Sequence, residues 1–177
     1  MAEKVTFSGQ HLDLSEITEH YTDVELSLRQ LFSSALDNEE RFAGYSPTEV
    51  AEELEYRLAE EGNLVALSIL AAIEAAFRVD YLQRVYAKKK DPLSRAFREL
   101  HEIKGSRASL EDEIFNTWLK YTNVQPQLIG NLRGAFKFRH WLAHGRYWKP
   151  KLGQRYDYHG VYTLAEGVFR SLPLLTN

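Results

Sequence analysis

The 177-residue sequence predicts an all-α fold, an antiparallel, up-and-down bundle of about five to seven helices with short connections. Three observations carry this expectation. Apolar residues recur three and four apart, the period of a helix that buries one face. Capping residues, prolines and glycines divide the chain at lengths that suit helices. Period-two alternation bounded by turns is missing, apart from a weak run over Tyr156 to Tyr162.

Residues 4 to 11 read as a short extended arm. After Asp13, the apolar positions Ile17, Tyr21, Val24, Leu28, Leu31 and Phe32 predict one or two helices reaching about Leu36. Gly44-Tyr45-Ser46-Pro47 is a stop and restart. Ser46 caps, Pro47 suits the first helical position and Glu49 completes a capping box. A short acidic helix to about Glu61 is expected to end at Gly62-Asn63, and residues 64 to about 89 then form the longest helical pattern. Lys88-Lys89-Lys90 places cations where a helix C-terminus favours them, and Asp91-Pro92 opens a segment to about Ile103. Lys104-Gly105-Ser106 reads as a loop. Ser109 with Asp112 caps a helix carrying Ile114, Phe115, Trp118 and Leu119. Pro126 begins a helix over about 126–146, and residues 158 to 172 make a last amphipathic helix before Pro173.

Composition agrees with a folded chain. With 44% hydrophobic and 27% charged residues, ten Gly and five Pro, linker-like and low-complexity classes are excluded. Residues 1–177 fit a single domain. The absence of cysteine excludes a disulfide framework and a thiolate metal site, and points to a reducing compartment. The N-terminus lacks a basic region followed by an apolar stretch, so a cytoplasmic protein is expected. The longest apolar stretch, Leu64 to Phe77, is interrupted by Ser68 and Glu74 and is shorter than the roughly 20 residues of a membrane span, so no membrane partner is expected.

The net charge of −3 conceals a strong polarity. Residues 1–62, the acidic N-terminal helices, carry 4 basic and 15 acidic residues; residues 63–177, the expected core bundle, carry 18 and 10. From Arg133 to Arg155 there are seven basic residues and no acid: Arg133, Lys137, Arg139, Arg146, Lys149, Lys151 and Arg155. Phe136, Phe138, Trp141, Tyr147 and Trp148 are interleaved with them. Cations beside aromatic faces are what single-stranded RNA requires, since phosphates need charge and unstacked bases need π surfaces. The same polarity is also compatible with acidic helices folded over basic ones.

Within this stretch, four residues separate Arg139 from His144, and Gly145 marks a helix end. Imidazole exchanges protons near neutral pH, and guanidinium is a permanently charged, forked donor for phosphate. Together they supply the two functions of metal-free RNA cleavage: proton transfer at the 2′-hydroxyl or the leaving 5′-oxygen, and stabilisation of charge on the phosphoryl oxygens. Positions five apart differ by roughly 140° around an ideal helix, so either the last turn distorts or a second copy of the helix completes the site. The two-fold arrangement is preferred. His140 and His144 also form a His-x3-His pair able to hold zinc from one helix face, but neither a Glu after His140 nor a cysteine accompanies it, so neither metal nor cofactor is expected.

Arg139-His140-Trp141-Leu142-Ala143-His144-Gly145 resembles the Arg-x4–6-His signature of the HEPN superfamily. The resemblance implies a helical bundle that dimerises to form a composite site, and metal-independent endoribonuclease activity of the kind found in toxin–antitoxin, phage-defence and RNA-processing systems. It implies that Arg139 and His144 are catalytic and that His140 assists. A cognate antitoxin or other regulatory protein would then be a partner beside RNA and the second protomer. Some superfamily members bind RNA or nucleotides without cutting, so a non-catalytic RNA-, nucleotide- or protein-binding module of the same fold is the alternative.

Glu74 interrupts the most apolar helix and has Arg78 four residues later. A carboxylate there needs a partner. It either forms an internal ion pair or orients Arg139 or His144, with Arg78 adding a phosphate contact. Tyr147 is a further supporting residue, and Arg133, Lys137, Arg146, Lys149, Lys151 and Arg155 are the expected RNA-binding cations.

Overall fold

Ser46 opens the helix around which the others are arranged. Its hydroxyl accepts from Glu49 N at 3.3 Å while the Glu49 carboxylate accepts from Ser46 N at 2.7 Å, and Pro47 occupies the first turn. This capping box satisfies donors that a helix start leaves unpaired. The computed structural model describes residues 4–33 and 41–175. Among them are six α-helices and no strand: α1 (Leu14–Ser33), α2 (Pro47–Tyr86), α3 (Pro92–Lys104), α4 (Phe115–Tyr121), α5 (Pro126–Ala143) and α6 (Tyr158–Ser171). A 3₁₀ turn (Gly105–Arg107) and a π-helical turn (Leu110–Ile114) connect α3 to α4.

The expected break at Gly62-Asn63 does not occur. α2 runs unbroken for 40 residues, roughly 60 Å, so the short acidic helix and the long apolar one are halves of one element. The physical reason lies in packing. Gly62 is buried where α6 crosses, and a Cβ added to it would lie 3.7 Å from Tyr158 Cβ. The helix tolerates glycine's intrinsic penalty of about 1 kcal/mol because α1 and α6 cover this part of it.

α2 packs against α1, α3, α5, α6 and the π turn. Its buried residues Ile69, Leu70, Ile73 and Phe77 meet Ile17 of α1, Phe97 of α3, Phe115 and Trp118 of α4, Leu132 of α5 and Val161 of α6 in one core. Tyr21 stacks on Tyr158 at 4.0 Å between centroids, tying α1 to α6. α1 is one helix; the expected end near Leu36 lies outside the described residues. The run from Tyr156 to Tyr162 enters α6, capped by Asp157, whose side chain accepts from Gly160 N at 2.9 Å. Residues 4–13 have no regular secondary structure and bend at Gly9 (φ +68°), and Val5 N donates to Tyr86 Oη at 2.9 Å.

By length and composition α2 is the one helix among the described residues long and apolar enough to cross a membrane. Half of its most apolar window is buried inside the protein. The uninterrupted path through Gly62 lengthens the segment beyond what the sequence alone indicated.

The Gly62 crossing makes a two-sided prediction. Gly62→Ala places a methyl at ordinary contact distance from Tyr158 and should raise stability by roughly 0.5–1 kcal/mol. Gly62→Leu should wedge α6 away and lower it by about 1–3 kcal/mol. Urea midpoints with unchanged slopes would show both; a stabilised Leu variant would contradict the close approach.

Candidate functional site

α5 carries the Arg139–His144 motif because Ile129, Leu132, Ala135, Phe136 and Phe138 bury its inner face. Its end is a glycine-terminated cap. Gly145 has φ +79°, Gly145 N donates to Leu142 O at 3.3 Å, and Arg146 N reaches back to Trp141 O at 3.1 Å. These two bonds satisfy the last carbonyls in the Schellman pattern, with glycine at the left-handed position. Arg146 is itself left-handed, at φ +57°, a conformation costing roughly 1–2 kcal/mol for a residue with a Cβ. Its guanidinium is clamped bidentately on Glu60 of α2, at 2.7 and 2.6 Å. This bridge holds the Glu60 carboxyl below its ordinary range. It also joins the acidic and basic parts of the chain.

Arg139 turns toward α2. Glu74 Oε2 lies 3.2 Å from Arg139 Nη2, while Glu74 Oε1 accepts from Arg78 Nε at 2.8 Å. One carboxylate is therefore shared by two guanidinium groups, leaving the cluster with a net charge of +1. Arg78 also donates to Ala108 O at 3.2 Å, anchoring the chain just before the π turn. Arg139 retains a buried Nε without a partner, and its side chain is 34% exposed, so one part of the group is structural while another faces outward.

His140 and His144 lie one turn apart at the end of α5, both exposed, with ring centroids 4.2 Å apart. Trp148 approaches His140 at 5.9 Å and is flanked edge-on by Tyr147, which is 85% exposed. Trp141 Nε1 donates to Trp148 O at 2.7 Å, folding the loop after α5 back onto the helix. No hydrogen bond joins Arg139 to either histidine among the described residues, and no third His, Asp or Glu joins the two histidines as a possible metal ligand.

The basic residues divide. Arg133 Nη2 donates to Glu111 O at 3.1 Å and Asn116 Oδ1 at 2.7 Å, so it joins α5 to the π turn. Arg146 is held by Glu60. Two of the six expected RNA-binding cations are thus already engaged within the chain. Lys137, Lys149, Lys151 and Arg155 are exposed and without an ion-pair partner among the described residues.

Sequence reasoning missed two acids at this surface. Glu60 looked like one of many charges on an acidic helix; only the fold of α2 beside the α5 cap gives it Arg146. Glu111 lies on the π turn, partly buried beside α5. Burial, reinforced by Asp112, pushes its carboxyl above its ordinary value against the pull of Arg133, Lys137 and His140. It borders a cleft of about 300 Å³ with Phe136, Lys137, His140, Trp148 and Lys151. A larger cleft of about 890 Å³, lined by Phe32, Phe42, Tyr45, Val50 and Leu54, lies between the end of α1 and the start of α2 and has none of the motif residues in its wall.

No protein-family model matches the chain, and no curated protein or solved structure matches it.

Removing Glu74 should leave Arg139 and Arg78 without their shared counter-charge. Glu74→Ala is expected to lower stability by about 1–3 kcal/mol in urea unfolding, and Glu74→Gln to recover part of the loss. Equal stability of Glu74→Ala and wild type would show that the bridge does not hold α5 on α2.

The Glu60–Arg146 bridge has a defined pH sense. Because the folded carboxyl is held low, its stabilisation is complete above the unfolded carboxylate value and is lost as pH falls through the folded one. The bridge is partly exposed, so its worth is at most about 1 kcal/mol. Glu60→Ala at neutral pH, or acidification through this window with rates corrected for the intrinsic pH dependence of exchange, should lower the protection of the Gly145 and Arg146 amides; unchanged protection in both cases would contradict the clamp.

Proposed function

We propose that the chain is a HEPN-like helical domain, its helices in up-and-down order, that acts as a metal-independent endoribonuclease in the cytoplasm. The observation that carries this reading is the division of labour at the end of α5. Arg139 is braced by Glu74 on one side of the helix, while His140 and His144 stand exposed at its end, with Lys137 and Lys151 in the cleft at His140 and Lys149 and Arg155 exposed on the loop that follows. Free imidazoles suit proton transfer, and a braced guanidinium suits a phosphate whose charge grows in the transition state.

In this reading a histidine takes the proton of an RNA 2′-hydroxyl and the oxygen attacks the adjacent phosphorus. The bond to the 5′-oxygen breaks, and that oxygen leaves with a proton from a second imidazole. The products are a 2′,3′-cyclic phosphate and a 5′-hydroxyl. Arg139 offsets the charge on the non-bridging oxygens, and Lys137, Lys149, Lys151 and Arg155 hold the flanking backbone. Arg139 faces Glu74 while His144 caps the helix, so a homodimer that sets one copy's Arg139 near the other's His144 provides the composite site. Activity of this kind suits a toxin or phage-defence effector restrained by an antitoxin or regulatory protein.

Purified protein incubated with mixed RNAs in chelator should yield cyclic-phosphate ends. Arg139→Ala and His144→Ala should each reduce cleavage by at least about 100-fold, the scale of losing one charge-stabilising or one proton-transfer group. Equal cleavage by all three proteins, or none under any condition, would remove the catalytic claim. Salt-sensitive RNA binding that survives His144→Ala and weakens when Lys149, Lys151 and Arg155 are neutralised would instead identify a non-catalytic RNA-binding module. Light scattering should report a dimer at micromolar concentration, and a monomer there would exclude the composite site.

A further inference from the structure

The cleft beside His140 has a chemistry more particular than phosphate binding. Its acid, Glu111, makes no side-chain hydrogen bond or ion pair among the described residues, although it is partly buried and Arg133, Lys137 and His140 stand near it. An acceptor-only group left unpaired at a half-buried position favours a ligand that brings donors to it. The Trp148 indole and the His140 ring, 5.9 Å apart between centroids and tilted by 55°, line the same cleft together with Lys137 and Lys151. The volume of about 300 Å³ is at the lower end for small-molecule sites and suits one planar ring system.

We propose that this cleft is a guanine-reading subsite, in which Glu111 accepts the two adjacent N–H groups of guanine while Trp148 stacks on the ring. The proposal rests on the reading of this surface as an RNA site and names the base it selects. A carboxylate presents two acceptors side by side. Guanine alone among the RNA bases presents two adjacent donors on one edge, the N1 imino and N2 amino groups. Adenine and cytosine each set one amino donor beside a ring-nitrogen acceptor, and uracil flanks its single N–H with two carbonyls that repel a carboxylate. Lys137 and Lys151 complete the match, since guanine's O6 and N7 and the neighbouring phosphates are all acceptors. The π turn is what sets Glu111 here. Ile114 N bonds to Ser109 O at 3.0 Å, widening the turn, and Arg133 pins Glu111 O to α5 at 3.1 Å.

The test uses the full chain carrying His144→Ala, to prevent cleavage, and fluorescent uridine heptamers with a central guanosine, adenosine, cytidine or uridine. Guanosine should bind about tenfold tighter or more, the discrimination expected of one bidentate contact. Glu111→Gln, which sets an amide donor against a guanine donor, should reduce that preference to within about twofold while the all-uridine heptamer binds no more weakly than before. Its circular dichroism and melting point would show that the fold persists. Equal affinity for the four bases, a preference that survives Glu111→Gln, or no binding of any heptamer overturns the proposal. Guanosine-selective binding by a protein that cuts no RNA would keep the subsite and remove the nuclease reading; cleavage by wild type without preference at guanosine would do the reverse.

Discussion

Glu74 is the constraint on which the site depends. It sits in the middle of α2, where the neighbouring residues Ile73 and Phe77 belong to the core, and it survives there because Arg78 and Arg139 share its two oxygens. A half-buried carboxylate needs such partners, since charge removed from water without compensation costs more than the fold can easily absorb. The same pairing fixes which way Arg139 faces along α5. Once Arg139 points to α2, the helical period places His140 and His144 on a different part of the surface, and the exposed motif histidines follow from an interaction in the interior.

The second organising feature is charge polarity. The acidic and basic parts do not simply lie over one another as neutral complements. They meet at a specific clamp, Glu60 on Arg146, whose bidentate geometry fixes a left-handed arginine directly after Gly145. That clamp shapes the turn from which Tyr147 and Trp148 project. Arg133 is likewise absorbed into structure. Of the other cations in this stretch, Lys137 and Lys151 border the cleft at His140, while Lys149 and Arg155 stand exposed on the loop after α5. Positive charge with adjacent aromatic surface is the combination that a single strand of RNA can use.

Local signals were legible where the chemistry is local. Ser46 with Glu49, Asp91 before Pro92, and Ser109 with Asp112 all announce helix starts in four residues, and all three cap as the spacing indicates. Gly62 misled for the complementary reason. Its intrinsic preference argues for a break, but the packing of α6 against it and the apolar residues that follow outweigh a penalty of about 1 kcal/mol. The π turn was equally invisible, because Ser109 caps either an α or a π start and only the fit of Leu110 and Ile114 into the core selects the wider turn.

The sequence by itself determined the all-α class, the positions of most helix ends, the amphipathic faces and the acid-free basic stretch around Arg139 and His144. These depend on periodicity and on contacts within four residues, which any reader of the chain can count. The tertiary structure decided that α2 is continuous, that Glu74 braces Arg139, that Glu60 rather than solvent meets Arg146, and that Glu111 borders the cleft at His140. Each of these joins residues far apart in the chain, and their partners are set by how helices cross, a property that no single segment encodes.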